Sequence, residues 1–247
     1  MQQEFNSPWG RITSSIIMII KIDFLTIDFP SQEIKDTEDL TSFWKSAKKN
    51  IEQRVRHFDG VFKTGSEEAV FAELAFCLFT PQSKAVSCWK AVNILHDKNL
   101  LLKGSPEEIS KNINNVRFHN NKSKYLTDAR SKFTINGKIS IKNKLASFKN
   151  PEDLREWIIE NITGIGYKEA SHFLRNTGIG PDLAILDRHI LKNLKKFGAV
   201  DEIPKTLTPK KYLEIEKRMQ SFSKEVKIPM SHMDLLMWCM QTGGIFK

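Results

Sequence analysis

The stretch from Ile162 to Asn176 reads ITGIGYKEASHFLRN. Gly164 and Gly166 flank Ile165, and Lys168 follows two residues after the second glycine, where a helical pattern begins. Both glycines can take positive φ without a Cβ penalty, letting two helices meet in a tight hairpin with exposed backbone amides. Those amides and the start of the next helix suit a phosphate oxygen. Spacing alone also allows an ordinary interhelical turn. Lys168 is the sharper feature, because the positive end of a helix dipole disfavours an ammonium ion in the first turn. A lysine partly desolvated there would have a lowered pKa and present a neutral amine as a nucleophile; an exposed one would be a phosphate contact.

Nineteen residues later Asp187 stands in PDLAILDRHILKNLKKFG, between an AIL run that is extended or helical and a helix. An acid at that junction reads as an N-cap. It can also stand across a cleft from Lys168, steadying positive charge on a sugar while the amine attacks C1′, or helping to deprotonate that amine. His189 follows two positions after Asp187, a spacing that on a helix faces apart, so it is assigned a structural or phosphate-side role rather than a relay.

The surroundings are helical. Between Asp39 and about Phe58, Leu40, Phe43, Trp44, Ala47, Ile51 and Val55 recur at three- and four-residue intervals. SEEAVFAELAFCLFTPQ predicts a central buried helix with Ser66 as cap and Pro81 as its end. Further helices are expected over Ser83–His96, over SPEEISKNI with Ser105 as cap and Glu108 three residues on, over Tyr125–Phe133, Pro151–Asn161, Pro181–Phe197, Pro209 to about Lys224, and Pro229–Met240. His119 to Lys124 reads as a polar connection, and no alternation of strands with helices appears.

With 247 residues the chain can form one large domain or two helical lobes. A net charge of +9 favours a polyanionic partner. Lys111 to Lys149 carries ten basic residues against the single acid Asp128, which suits contact with a phosphate backbone; a solvated lysine-rich surface is the alternative. Cys77, Cys88 and Cys239 lack CxxC spacing, which predicts reduced, buried thiols and excludes an all-cysteine four-ligand cluster. The six histidines form no ligand motif, so neither a metal nor a cofactor is expected. At the N-terminus, ITSSIIMIIKIDFLTIDF is broken by Ser14, Ser15, Lys21 and Asp23, too polar for a membrane span and without a signal-peptide cleavage pattern. Its β-branched content suggests one or two strands or an extended arm, with a helix as the alternative.

ITGIGYKEASHFLRN followed by ILDRHI resembles the helix-hairpin-helix DNA glycosylases that use a lysine and a downstream aspartate. It is most similar to the compact second class, the archaeal-type 8-oxoguanine DNA glycosylase/AP lyases. The likeness runs from about Asp39 to Lys247 and takes in ELAFCLFTPQSKA and SHMDLLMWCMQTGGIFK. It departs at Ile162–Thr163, where Leu-Pro is commoner, without touching the reactive pair.

The resemblance implies a mainly α, two-lobed fold. Residues 1–38 would be an arm, short and extended or β, and 39–247 the glycosylase body, with the helix-hairpin-helix around 152–177 and a recognition helix and tail over 229–247. It implies a bifunctional enzyme that cuts the N-glycosidic bond and then eliminates the 3′ phosphate. Lys168 would be the Schiff-base nucleophile and Asp187 its acidic partner. Where the native chain ends at Lys247, that residue would help recognise the extruded base. Trp238 would stack on the base and Asp234 accept from its edge; helical spacing alone reads the first as core and the second as a first-turn acid. Gln82 resembles the polar wedge region, with a helix-terminal cap as its other reading. Gly164, Gly166 and Arg188 would contact phosphates. The partner would be damaged double-stranded DNA, bound by a monomer in the cytoplasm or nucleoid, with no membrane involved. A noncatalytic DNA-binding module, or a glycosylase for oxidised pyrimidines or mismatched bases, is the alternative.

Overall fold

The computed structural model describes Leu25–Thr26 and residues 33–247. Strand β1 (Leu25–Thr26) pairs antiparallel with β4 (Gly244–Ile245), Leu25 opposite Ile245, so part of the N-terminal segment is extended. Residues 1–24 and 27–32 of the expected arm lie outside the described residues, and Thr37 and Glu38 at its end belong to the first helix. Between these strands the described chain is helical apart from a small hairpin of β2 (Thr134–Ile135) and β3 (Lys138–Ile139). No described helix is long and apolar enough to cross a membrane.

Helix α1 (Thr37–Thr64) starts where the Asp36 carboxylate accepts from the Glu38 and Asp39 amides. It outruns the expected end at Phe58 because Phe58 and Val61 continue its buried stripe. The first half of α1 packs in one core with Met233, Leu236 and Ile245; Val61 belongs to a second core built around α2 (Glu67–Phe79). Every residue of α2 from Ala69 to Phe79 is buried, including Glu73. The helix stops at Thr80, ahead of Pro81.

Helices α3 (Ala85–Asp97) and α6 (His119–Lys132) pack on α2, and α4 (Leu100–Lys103) and α5 (Pro106–Asn112) pack on α3, with α5 held by the expected Ser105–Glu108 capping box. The polar stretch from His119 to Lys124 belongs to α6, contrary to its reading as a connection. Its Lys122 is 3% exposed and donates to the carbonyls of Phe79 and Pro81, at 2.7 Å each. It ends α2 by capping carbonyls that no backbone amide satisfies. Arg130 likewise donates to the Gly104 carbonyl at 2.7 Å, and Lys142 to that of Gly65 at 2.9 Å. Three of the ten cations expected to steer phosphates therefore hold the fold, whereas Lys111, Arg117, Lys124, Lys132, Lys138 and Lys149 are exposed.

After α7 (Ile141–Ala146), α8 (Pro151–Asn161) and α9 (Tyr167–Asn176) form the hairpin that carries Lys168. Of the two glycines that can take positive φ, one does. Gly164 sits at φ +89 against the Tyr125 ring, where a Cβ would collide. Gly166 is the extended N-cap of α9, at φ −108. The segment from Pro181 to Asp187 is irregular rather than helical, so α10 spans only Arg188–Lys196. Helices α11 (Pro209–Glu225) and α12 (Met230–Thr242) complete the second core. Replacing Gly164 by Ala is expected to destabilise the protein by about 2 kcal/mol or more, from a strained φ and overpacking on Tyr125. Gly166→Ala, where a Cβ meets nothing nearer than Glu169 at 3.5 Å, is expected to cost under about 1 kcal/mol. Urea denaturation of the two variants measures the difference.

Candidate active site

A cleft of 1040 Å³ opens between the two cores. Lys168, Asp187, Arg188, Gln82, Asp234, Trp238 and Lys247 all line it, so seven residues scattered over the sequence share one cavity. The hairpin glycines, Gly164 and Gly166, lie outside its lining.

Lys168 is the second residue of α9, with a side chain 24% exposed and its amine 3.8 Å from the Glu169 carboxylate. Asp187 performs the capping role its position suggests: Oδ1 accepts from the amides of His189 at 2.7 Å and Ile190 at 2.8 Å. Both cap bonds use one oxygen, and Oδ2 accepts none among the described residues. A carboxylate at a helix N-terminus can thus serve fold and cleft together.

The irregular segment before Asp187 is held by α11. The Ala184 amide donates to Glu216 at 2.7 Å, and the Tyr212 hydroxyl donates to the Ala184 carbonyl at 2.6 Å while accepting from the Leu186 amide at 3.3 Å. Glu216 is fixed in turn by two hydrogen bonds from buried Arg155 of α8, at 2.7 and 2.9 Å. A loop whose backbone cannot pair within a helix or sheet is supplied with side-chain partners instead.

On α12, Asp234 and Trp238 lie one turn apart on the cleft side. Asp234 is no free acceptor: Arg175 of α9 pairs with it at 2.7 Å, and its pKa is pushed up by burial against the opposing pull of that guanidinium. Lys247 is 5% exposed, its amine paired with the Glu73 carboxylate and 3.5 Å from the centroid of the Trp89 ring. Burial lowers its pKa to about 8 while Glu73 opposes the shift. Gln82 projects from the turn after α2 in a left-handed conformation, φ 55, exposed at the rim. Arg188 is exposed, and its Nε donates to His189 Nε2 at 3.2 Å.

The sequence reading missed His172 and Arg175, which also line the cleft. The signal was present, for they follow Lys168 at i+4 and i+7 and so share its helical face. Arg117, one of the ten cations expected to steer phosphates, lines the cleft; the reading missed its neighbour Phe118, 49% exposed in a left-handed conformation with the guanidinium 5.0 Å from its ring centroid.

The family model for 8-oxoguanine DNA glycosylase matches residues 51–228. The chain belongs to the 8-oxoguanine DNA glycosylase family. It is 46% identical over 209 residues to the 8-oxoguanine DNA glycosylase/AP lyase of Fusobacterium nucleatum, covering 85% of this chain and 96% of that protein. It is 39% identical to the enzyme of the same name from Methanocaldococcus jannaschii, covering 87% and 99%. The crystal structure of the M. jannaschii 8-oxoguanine glycosylase/lyase in complex with 15mer DNA containing 8-oxoguanine superposes with a TM-score of 0.77 at 37% identity, over 85% of this chain and 99% of that one. The Thermotoga maritima 8-oxoguanine DNA glycosylase gives 0.76 at 31% identity, over 85% and 98%. The 8-oxoguanine glycosylase family fold thus accounts for the helical body and its two-sided cleft.

Two measurements follow from the cleft walls. Tyr212→Phe leaves the buried Ala184 carbonyl and Leu186 amide without their partner and is expected to cost about 1–3 kcal/mol in urea unfolding. Stability should also fall on acidification. Burial holds the pKa of His57 down to about 4 and that of His172 well below 6.5. Between pH 6.5 and about 4 the unfolded chain therefore binds more protons than the folded one. Each histidine should add a slope of up to ~1.4 kcal/mol per pH unit, visible in unfolding curves recorded across that range.

Proposed function

We propose that the protein is a bifunctional DNA glycosylase/AP lyase that excises 8-oxoguanine from duplex DNA. The single observation that carries this reading is the meeting of Lys168 and Asp187 at two helix starts on one cleft that also holds Trp238 and Lys247. The relatives' names and the DNA-bound neighbour supply the substrate.

In this reading the duplex lies across the cleft mouth as a monomer's substrate, contacted at phosphates by the hairpin around Gly164 and Gly166, by Arg188 and by the exposed lysines. The lesion nucleotide turns out of the stack into the cavity. Gln82 and the neighbouring Phe118 stand at the rim, where a wedge would fill the vacated space. The base stacks on Trp238 and meets the Asp234–Arg175 pair and Lys247.

The Lys168 amine, once deprotonated, attacks C1′. Its nitrogen forms a bond to that carbon as the bond to the base nitrogen breaks and the electron pair leaves with the base. Oδ2 of Asp187 faces the positive charge that grows on the sugar or accepts the proton that the amine sheds; a preorganised carboxylate in a partly dry cleft is well suited to either. Opening of the sugar ring leaves an imine between Lys168 and C1′. Loss of a proton from C2′ then expels the 3′ phosphate, and water hydrolyses the imine to release the enzyme.

Borohydride reduction of the reaction on 8-oxoguanine duplex is expected to trap the wild-type protein covalently, whereas Lys168→Gln gives no trapped species and keeps duplex affinity within about fivefold, since one phosphate attractor at most is lost. Undiminished trapping would place the nucleophile elsewhere. Asp187→Asn retains a good cap and is expected to fold normally yet slow base excision by about 100-fold or more at saturating enzyme. A wild-type single-turnover rate would remove Asp187 from the chemistry.

A further inference from the structure

His172 is 6% exposed, lines the cleft, and among the described residues neither ring nitrogen meets a protein partner in hydrogen-bonding geometry. Its ring packs edge-on to Phe76, centroids 5.4 Å apart at 79°, which fixes its plane. A buried polar group left unmet is costly, so a histidine kept there calls for a partner from outside the folded chain.

Its position identifies that partner. His172 lies one helical turn beyond Lys168, about 6 Å deeper along the same face of α9. The amine reaches for C1′, and the part of a purine nearest C1′ is the five-membered ring, with positions 8 and 7 on its outer edge. The charged groups around this depth are engaged with one another: Asp234 with Arg175, Lys247 with Glu73. His172 lines the cavity with neither ring nitrogen so engaged.

Resting on the function proposed above, we propose that His172 reads the N7 edge of the extruded base, accepting a hydrogen bond from the N7–H that 8-oxoguanine has and guanine lacks. Guanine carries a lone pair at N7, so the same imidazole nitrogen would meet it lone pair to lone pair. The ring's surroundings keep it neutral, since burial and the nearby cations Arg175, Lys168 and Lys247 disfavour imidazolium. A neutral imidazole leaves one ring nitrogen unprotonated, and that nitrogen offers its lone pair.

The test compares wild type, His172→Leu and His172→Gln in single-turnover excision of 8-oxoguanine, in cleavage of a preformed abasic site, and in competition binding by duplexes containing 8-oxoguanine or 8-methoxyguanine. The methoxy base keeps an oxygen at position 8 but has no N7–H. Leucine should slow excision by about 30-fold or more and shrink the binding preference for 8-oxoguanine over 8-methoxyguanine by at least about fivefold. Abasic-site cleavage should fall by less than about threefold, because no base is read there. Leucine also removes an unsatisfied polar group, so its melting temperature should equal or exceed that of wild type. Glutamine, which keeps an acceptor, should restore at least part of the preference. Equal losses on both substrates, or an unchanged binding preference in the leucine variant, would overturn the role of His172. A wild-type protein inactive on both substrates would instead sink the glycosylase reading itself.

Discussion

The ion pair between Lys247 and Glu73 joins the last residue of the chain to the middle of its most buried helix, 174 positions apart in sequence. Removing two charges from water is expensive, and the cost is offset only when geometry and further partners are good. Here Asn176 donates a second hydrogen bond to Glu73 at 2.9 Å, and the ammonium lies against the faces of Trp89 and Phe76. The arrangement fixes the tail as a wall of the cleft. Ile245 enters one hydrophobic core and Phe246 the other, so the last residues stitch together the two sides between which a base must fit. Glu73 thereby ties α2, α9 and the tail to one point, and the positions of Lys168, His172 and Trp238 follow from it.

The N-cap of α10 shows the same economy. Both cap bonds fall on Oδ1 of Asp187, which leaves Oδ2 on the cleft without a hydrogen bond among the described residues. The cap bonds orient the carboxylate, and the Tyr212–Glu216–Arg155 network sets the backbone that delivers it. Preorganisation of a charged group comes here from hydrogen bonds two layers removed from the cleft.

The basic segment shows why charge counts need a structure. Lys122, Arg130 and Lys142 meet backbone carbonyls at helix ends and loops, where cations complement the negative end of the helix dipole. Lys122 in particular shapes the turn that presents Gln82, and its partner Ser83 also receives the Arg117 amide, so one buried cation braces both rim segments. Lys111, Lys124, Lys132, Lys138 and Lys149 stay exposed.

The sequence by itself determined the helical class, the hairpin, and the places of Lys168 and Asp187 at two helix starts, because hydrophobic period, capping residues and glycine placement act over a few residues. The resemblance carried by ITGIGYKEASHFLRN and ILDRHI extended this to the family, which the relatives bear out. Several assignments failed where the competing forces were not local. Gly166 needs no positive φ because α9 begins there, and the Pro181–Asp187 segment stays irregular because α11 satisfies its backbone better than a further helical turn would. Only the tertiary structure decided that Asp234 is already paired and that Lys247 is buried against Glu73. The partners of those groups come from distant helices, and electrostatic pairing in a low-dielectric interior depends on distance in space, which no interval along the chain specifies.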